Sequence, residues 1–145
     1  MYFVDRKKIE ELLLYMETLL AEQKKHSFQT FADYLGLERL THLCVEIIID
    51  VGNQMIDGFI MRDPGSYEDI IDILTDEKVL PEEELGNYKE IIKLRKIVVQ
   101  QYLMVDHEAI LQTWDQNSGS LSQFPGRIRK YLNDELGPVS AFSKE

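Results

Sequence analysis

The sequence predicts an all-α fold, an antiparallel bundle of four to six helices, and three observations carry that expectation. Apolar residues recur at helical spacing through nearly the whole chain, beginning with Ile9, Leu12, Leu13, Met16, Leu19 and Leu20. No stretch shows the strict alternation of a half-buried strand. The connections between periodic segments are short, which favours antiparallel neighbours.

Each element can be justified in turn. The first helix is expected from about 5 to 24, with Asp5 as its N-cap. "HSFQTFADYLG" reads as a connector with at most one short helix, closed by Gly36 at a C-cap position. The second and longest helix, "LERLTHLCVEIIIDVGNQMIDGFIM", spans 37 to 61 and is stopped by "RDPG": the residue before Pro64 is pushed from the α region, and Gly65 permits a turn. "SYED" at 66 to 69 has the form of a capping box and opens a third helix to about Thr75 or Glu77. Pro81 and the acids after it suit the first turn of a fourth helix, expected to reach about Leu103. Asp106 begins a fifth carrying Ala109, Ile110 and Trp114. "QNSGS" is expected to interrupt it before a last helix around Ile128, Tyr131 and Leu132. Residues 1–136 then form a single helical domain, and 137–145 a loose tail after Gly137-Pro138.

Composition narrows the function classes. A chain of 145 residues with 44% apolar and 29% charged residues is long enough to build one core without staples. The lone Cys44, in the middle of an apolar helix, is expected to be a small core residue, and the absence of cysteine pairs suits a reducing compartment. No window has the uninterrupted apolar length of a membrane span, and "MYFVDRKK" has neither region of a signal peptide, so a cytoplasmic protein without a membrane partner is expected. A formal net charge of −10 opposes nonspecific binding to DNA or anionic lipid, and any RNA site must be local. There is no nucleophilic triad, Gly-rich phosphate loop or Cys/His metal pattern.

Two helices carry residues that a plain core does not need. In "VEIIIDVGNQMIDGF", Glu46, Asp50, Asn53 and Asp57 fall within about 60° of one another on an otherwise apolar helix. Glu46 and Asp50 repel at i,i+4, so the line is either wet or faces a cation. In "NYKEIIKLRKIVVQQY", Tyr88, Ile91, Ile92, Val98, Val99 and Tyr102 all lie within about 60° of Arg95, which therefore sits at the centre of an apolar face. Lys89, Lys93 and Lys96 form a separate stripe assigned to solvent. A guanidinium among Ile and Val needs a partner. The expected partners are Glu46 and Asp50, within one chain or across a dimer, either as a structural ion pair or as part of a site.

"RKIVVQQY", with Arg95, then position 100 five residues on, then Tyr102, resembles the Arg, four to six residues, His, any residue, Tyr signature of the HEPN superfamily, specifically HepT-like toxins. The likeness extends to "LERLTHLCVEIIIDVGNQMI" and "VDHEAILQTW", and is nearer still to the YutE-like branch. The resemblance implies a helical homodimer whose two motifs meet at the interface and cleave RNA without metal or cofactor, controlled by a minimal nucleotidyltransferase antitoxin. It assigns catalysis to Arg95, position 100 and Tyr102, with Glu46, Asp50 and Asn53 as supporting acids and amide, and it makes Tyr102 an acceptor of AMP groups. Here the motif histidine is Gln100, whose amide cannot exchange a proton near neutral pH. The alternative is a noncatalytic homodimeric HEPN module that binds a nucleotide or a nucleotidyltransferase. A third possibility, a purely structural adaptor, is disfavoured by Glu46, Asp50, Arg95 and Tyr102 occurring together.

Other polar residues have plainer readings. His42, Glu46 and Asp50 are ligand types at i,i+4 spacing, but the Glu-x-x-His pattern of di-iron bundles does not occur, so no metal is expected. His107 at the start of the fifth helix is a candidate replacement for the missing histidine or an exposed helix-start residue. His26 lies in a loop without a nameable partner. Tyr102 has the alternative of filling an interface with its hydroxyl wet. Arg127, Arg129 and Lys130 are assigned to a solvated helix end.

Overall fold

The computed structural model describes residues 2–137, so the expected tail from Pro138 onward lies outside the described residues. The described residues form helices α1 (Arg6–Lys25), α2 (Phe31–Gly58), α3 (Tyr67–Asp76), α4 (Leu85–Arg95) and α5 (His107–Leu136), with no strand among them. α1 packs on α2 and α5, while α4 packs on α2, α3 and α5. The core between them runs from Ile9 and Leu13 through Ile48, Met55, Ile70 and Tyr88 to Trp114 and Phe124.

The caps explain where the helices begin. Asp5 accepts a hydrogen bond from the Lys8 amide at 3.0 Å and starts α1 as expected. α2 starts six residues before the expected position 37, because Thr30 and Asp33 form a reciprocal box. Thr30 Oγ1 accepts from the Asp33 amide at 3.1 Å, and Asp33 Oδ2 accepts from the Thr30 amide at 2.9 Å. Gly36 is therefore an exposed position inside the helix, not a cap.

α2 also stops earlier than expected, at Gly58 and before "RDPG". The amino-terminal segment crosses its end: the Phe3 amide donates to Gly58 O at 3.0 Å, and Tyr2 meets the Phe59 ring edge-on. A Cβ at Gly58 would lie 2.7 Å from Val4 Cγ2, so this crossing requires glycine. At Gly52 the same argument applies to α3, because a Cβ there would come within 2.3 Å of Ile70 Cγ2. Ser66 caps α3 by accepting from the Asp69 amide, and Asp69 in turn takes two bonds from Arg62 at 2.8 and 2.9 Å.

The last third differs most from expectation. After Pro81 a 3₁₀ turn, Glu82–Glu84, leads into α4, and α4 passes into a π turn, Lys96–Gln100, instead of continuing to Leu103. α5 is one continuous helix of 30 residues through both "QNSGS" and Pro125. The polar residues of "QNSGS" find partners within α5 and on α4. Buried Asn117 donates to Thr113 O at 2.8 Å and accepts from Asn87 on α4 at 2.7 Å, while the Ser118 and Ser122 hydroxyls bond back to Asp115 O and Ser118 O. Of the basic patch, Lys130 is solvent-exposed as expected, but Arg127 and Arg129 are engaged with other elements. Arg129 binds Glu10 and Glu17 on α1, and Arg127 binds Glu84, so these charges fasten α5 to its neighbours. Cys44 is fully buried, and burial pushes its thiol up to about 12, as suits a core residue.

Candidate active site

Arg95 is the last residue of α4, one turn beyond buried Ile91 and Ile92. Its Nε donates to Glu46 Oε1 on α2 at 2.9 Å, and its guanidinium lies 4.7 Å from the centre of the Tyr67 ring at the start of α3. The side chains of Arg95 and Glu46 are 23% and 31% exposed. The pair is thus intrachain and half-open, with one side left to solvent.

Glu46 Oε1 has a second neighbour. His42 Nε2, one helical turn earlier, is 3.2 Å away, and His42 Nδ1 is 3.3 Å from the Arg39 guanidinium. One turn earlier again, Glu38 Oε2 lies 2.7 Å from His107 Nε2, whose ring stacks on Tyr34 at 4.5 Å. One ridge of α2 therefore carries Glu38, His42 and Glu46 at i,i+4 spacing, with His107, Arg39 and Arg95 as their partners.

The expected acidic line is divided by these contacts. Glu46 takes Arg95; Asp50 is exposed and is not its partner. Partial desolvation, with repulsion from Glu46 adding to it, holds the Asp50 carboxyl above its ordinary range, and Lys8 on α1 acts in the opposite sense. Asn53 is partly buried farther along the same face. His107 is not exposed at the helix start but is engaged with Glu38.

Position 100 is set by the π turn, in which the Gln101 amide donates to Lys96 O, five residues back, at 3.0 Å. In an α-helix a residue five places after Arg95 would lie about 140° round the axis; the extra residue taken into the turn reduces this to roughly 40°. Gln100, at the end of this turn, is exposed. The wider turn keeps Ile97 and Val98 against the core.

Tyr102 does not share a helix face with Arg95. It lies in the turn after the π segment, 63% exposed and followed by exposed Leu103 and Met104. These residues line a shallow cleft of about 400 Å³ together with Gln100 and Gln101.

Three members of the cluster escaped the sequence reading: Arg39, Tyr67 and Glu38. Arg39 had a local signal, its i,i+3 spacing to His42. Glu38 had its i,i+4 spacing to His42, and Tyr67 had none, because its contact joins residues distant in the chain. No group of three or more potential metal-binding side chains gathers among the described residues.

The all-helical fold sets the broad class, and comparison with known proteins gives the family. The family model described as "Ribonuclease HepT-like" matches residues 7–128, and the chain belongs to that family. It is 52% identical over 143 residues to the Bacillus subtilis (strain 168) protein named "Putative RNase YutE", covering 98% of this chain and 99% of the relative. A solved structure of Bacillus subtilis YutE, described as a cytosolic protein of unknown function, superposes with a TM-score of 0.94 over 98% of this chain and 100% of that one, at 52% identity. The resemblance drawn from the two helices thus holds, down to its YutE-like branch. No helix among the described residues is long and apolar enough to cross a membrane.

Proposed function

We propose that this chain is the ribonuclease component of a HepT-like toxin–antitoxin pair, acting as a metal-independent endoribonuclease that is weakened because Gln100 stands at the motif histidine. The observation that supports this reading best is the Arg95–Glu46 pair, which leaves the guanidinium partly open to solvent at the start of the π turn that ends in Gln100. Arg95 supplies positive charge to the phosphoryl oxygens as the ribose 2′-hydroxyl attacks, and this is the step at which electrostatic stabilisation matters most. Gln100 can hydrogen-bond the substrate but cannot carry a proton, a loss of about 10²- to 10⁴-fold in typical general acid–base catalysis.

A homodimer in the cytoplasm completes the proposal, with residues 1–136 as its single domain. Leu103 and Met104 offer exposed apolar surface next to Tyr102, which a second copy with two-fold symmetry would cover. Tyr102 is accessible to a minimal nucleotidyltransferase antitoxin, and AMP added to its hydroxyl would bring negative charge beside the RNA-binding cation. Gln100 itself favours a second reading, a noncatalytic homodimer that binds a nucleotide or the nucleotidyltransferase.

The test compares wild type and Arg95→Ala on an RNA oligonucleotide and on its all-2′-deoxy counterpart, with and without EDTA. The proposal expects slow cleavage of the RNA alone, unaffected by EDTA and lost with Arg95. Cleavage of the deoxy strand, or cleavage that survives Arg95→Ala, would contradict it.

A further inference from the structure

We propose that His42, held by Glu46, is the proton carrier of this site; the inference rests on the ribonuclease reading and names the group that performs its proton transfer.

The local bonding fixes the tautomer. A guanidinium has donors and no acceptor, so the Arg39 contact at 3.3 Å requires a lone pair on His42 Nδ1. The ring proton then lies on Nε2 and is donated to Glu46 Oε1 at 3.2 Å. A carboxylate that orients one ring nitrogen while the other is left basic is the arrangement used to set a histidine for proton transfer. Glu46 Oε1 also holds Arg95, so a single oxygen positions both the candidate base and the phosphate-binding cation.

Access and location agree. The His42 side chain is 29% exposed, and Arg39, which covers Nδ1, is an exposed side chain free to swing toward a phosphate. α2 packs directly against the π turn that carries Gln100. His107, the other candidate, is bonded to Glu38 and stacked on Tyr34, and it does not share the carboxylate that holds Arg95.

The step balances without an added reactant. The 2′-oxygen forms a bond to phosphorus as its proton passes to His42 Nδ1, and the P–O5′ bond breaks. The imidazolium returns that proton to the departing 5′-oxygen. The products are a 2′,3′-cyclic phosphate end and a 5′-hydroxyl end, with His42 neutral again. Arg39 and Arg95 flank the phosphate throughout.

Four proteins test this: wild type, His42→Gln, Gln100→His and the double variant, assayed in single-turnover cleavage of an end-labelled RNA, with RNA affinity measured separately. His42→Gln is expected to slow wild-type cleavage at least tenfold while changing RNA affinity by less than about twofold. In the Gln100→His background the same substitution is expected to have less than about a threefold effect, because the new histidine takes over the proton. Equal losses in both backgrounds would make His42 a structural support and overturn the proposal, as would undiminished cleavage by His42→Gln. A wild type that does not cleave also overturns it, and Gln100→His then decides the ribonuclease reading separately: that reading stands with rescue and falls without it.

Discussion

Truncating Arg95 to alanine removes two interactions whose sizes follow from the geometry. The Nε–Oε1 bond to Glu46 is single and charge-assisted, between side chains 23% and 31% exposed, so it belongs at the upper end of surface pairs, about 1 kcal/mol. The guanidinium over the Tyr67 ring at 4.7 Å contributes about 0.5–1 kcal/mol more. The expected loss is about 2 kcal/mol, which for a chain of this size lowers the melting temperature by roughly 6 °C. Urea unfolding of wild type, Arg95→Ala, Glu46→Ala and the double variant isolates the pair, with an expected coupling near 1 kcal/mol. A loss above about 4 kcal/mol would show a fully desolvated pair, in which removal of one partner strands a buried charge. A coupling indistinguishable from zero would show that Arg95 and Glu46 do not pair in solution.

Other substitutions probe the frame that holds the site. Gly52→Ala gains helix propensity but drives a Cβ into Ile70, so urea unfolding should show a net loss of about 1 kcal/mol; a stabilised variant would mean that α2 and α3 are farther apart. Thr41→Val deprives buried Trp114 Nε1 of its acceptor at 2.9 Å, and a loss of about 2 kcal/mol is expected in the same assay, whereas an unchanged midpoint would place the indole N–H elsewhere. Asp69 has its carboxyl held well below 3.8 by the Arg62 hydrogen bonds and the Gly65 amide. A depressed folded value adds stability that is present above pH 3.8 and is lost as pH falls through the folded value. Asp69→Asn should therefore lower the urea midpoint at pH 7, with the gap from wild type closing below about pH 4; a gap that stays constant with pH would contradict the ion pair.

The helical class was legible because burial follows the apolar period, and the Ser66 and Asp106 caps act where their spacing placed them. Boundaries failed where another part of the chain decided them. α2 ends at Gly58 because Phe3 crosses it, and α5 runs through "QNSGS" because Asn87 on α4 satisfies Asn117. Thr30-x-x-Asp33 was a local signal passed over in favour of Gly36. For the site, the apolar surroundings of Arg95 and the acids on α2 were enough to pair the two helices. They overstated the burial, however, and assigned Asp50 to a pair that Glu46 forms. The π turn was hidden because helical-wheel reasoning assumes a constant 100° step. That assumption put Tyr102 on the Arg95 face, when it lies in the turn beyond.

The central claim, a HepT-like site weakened by Gln100 at the motif histidine, is tested most directly by the single-turnover RNA cleavage rate of Gln100→His divided by that of wild type. The account predicts a ratio of at least about 10², the lower end of what general acid–base catalysis contributes, and complete loss of the gain when Arg95→Ala is added. A ratio near one, with both proteins folded and binding RNA, would contradict it.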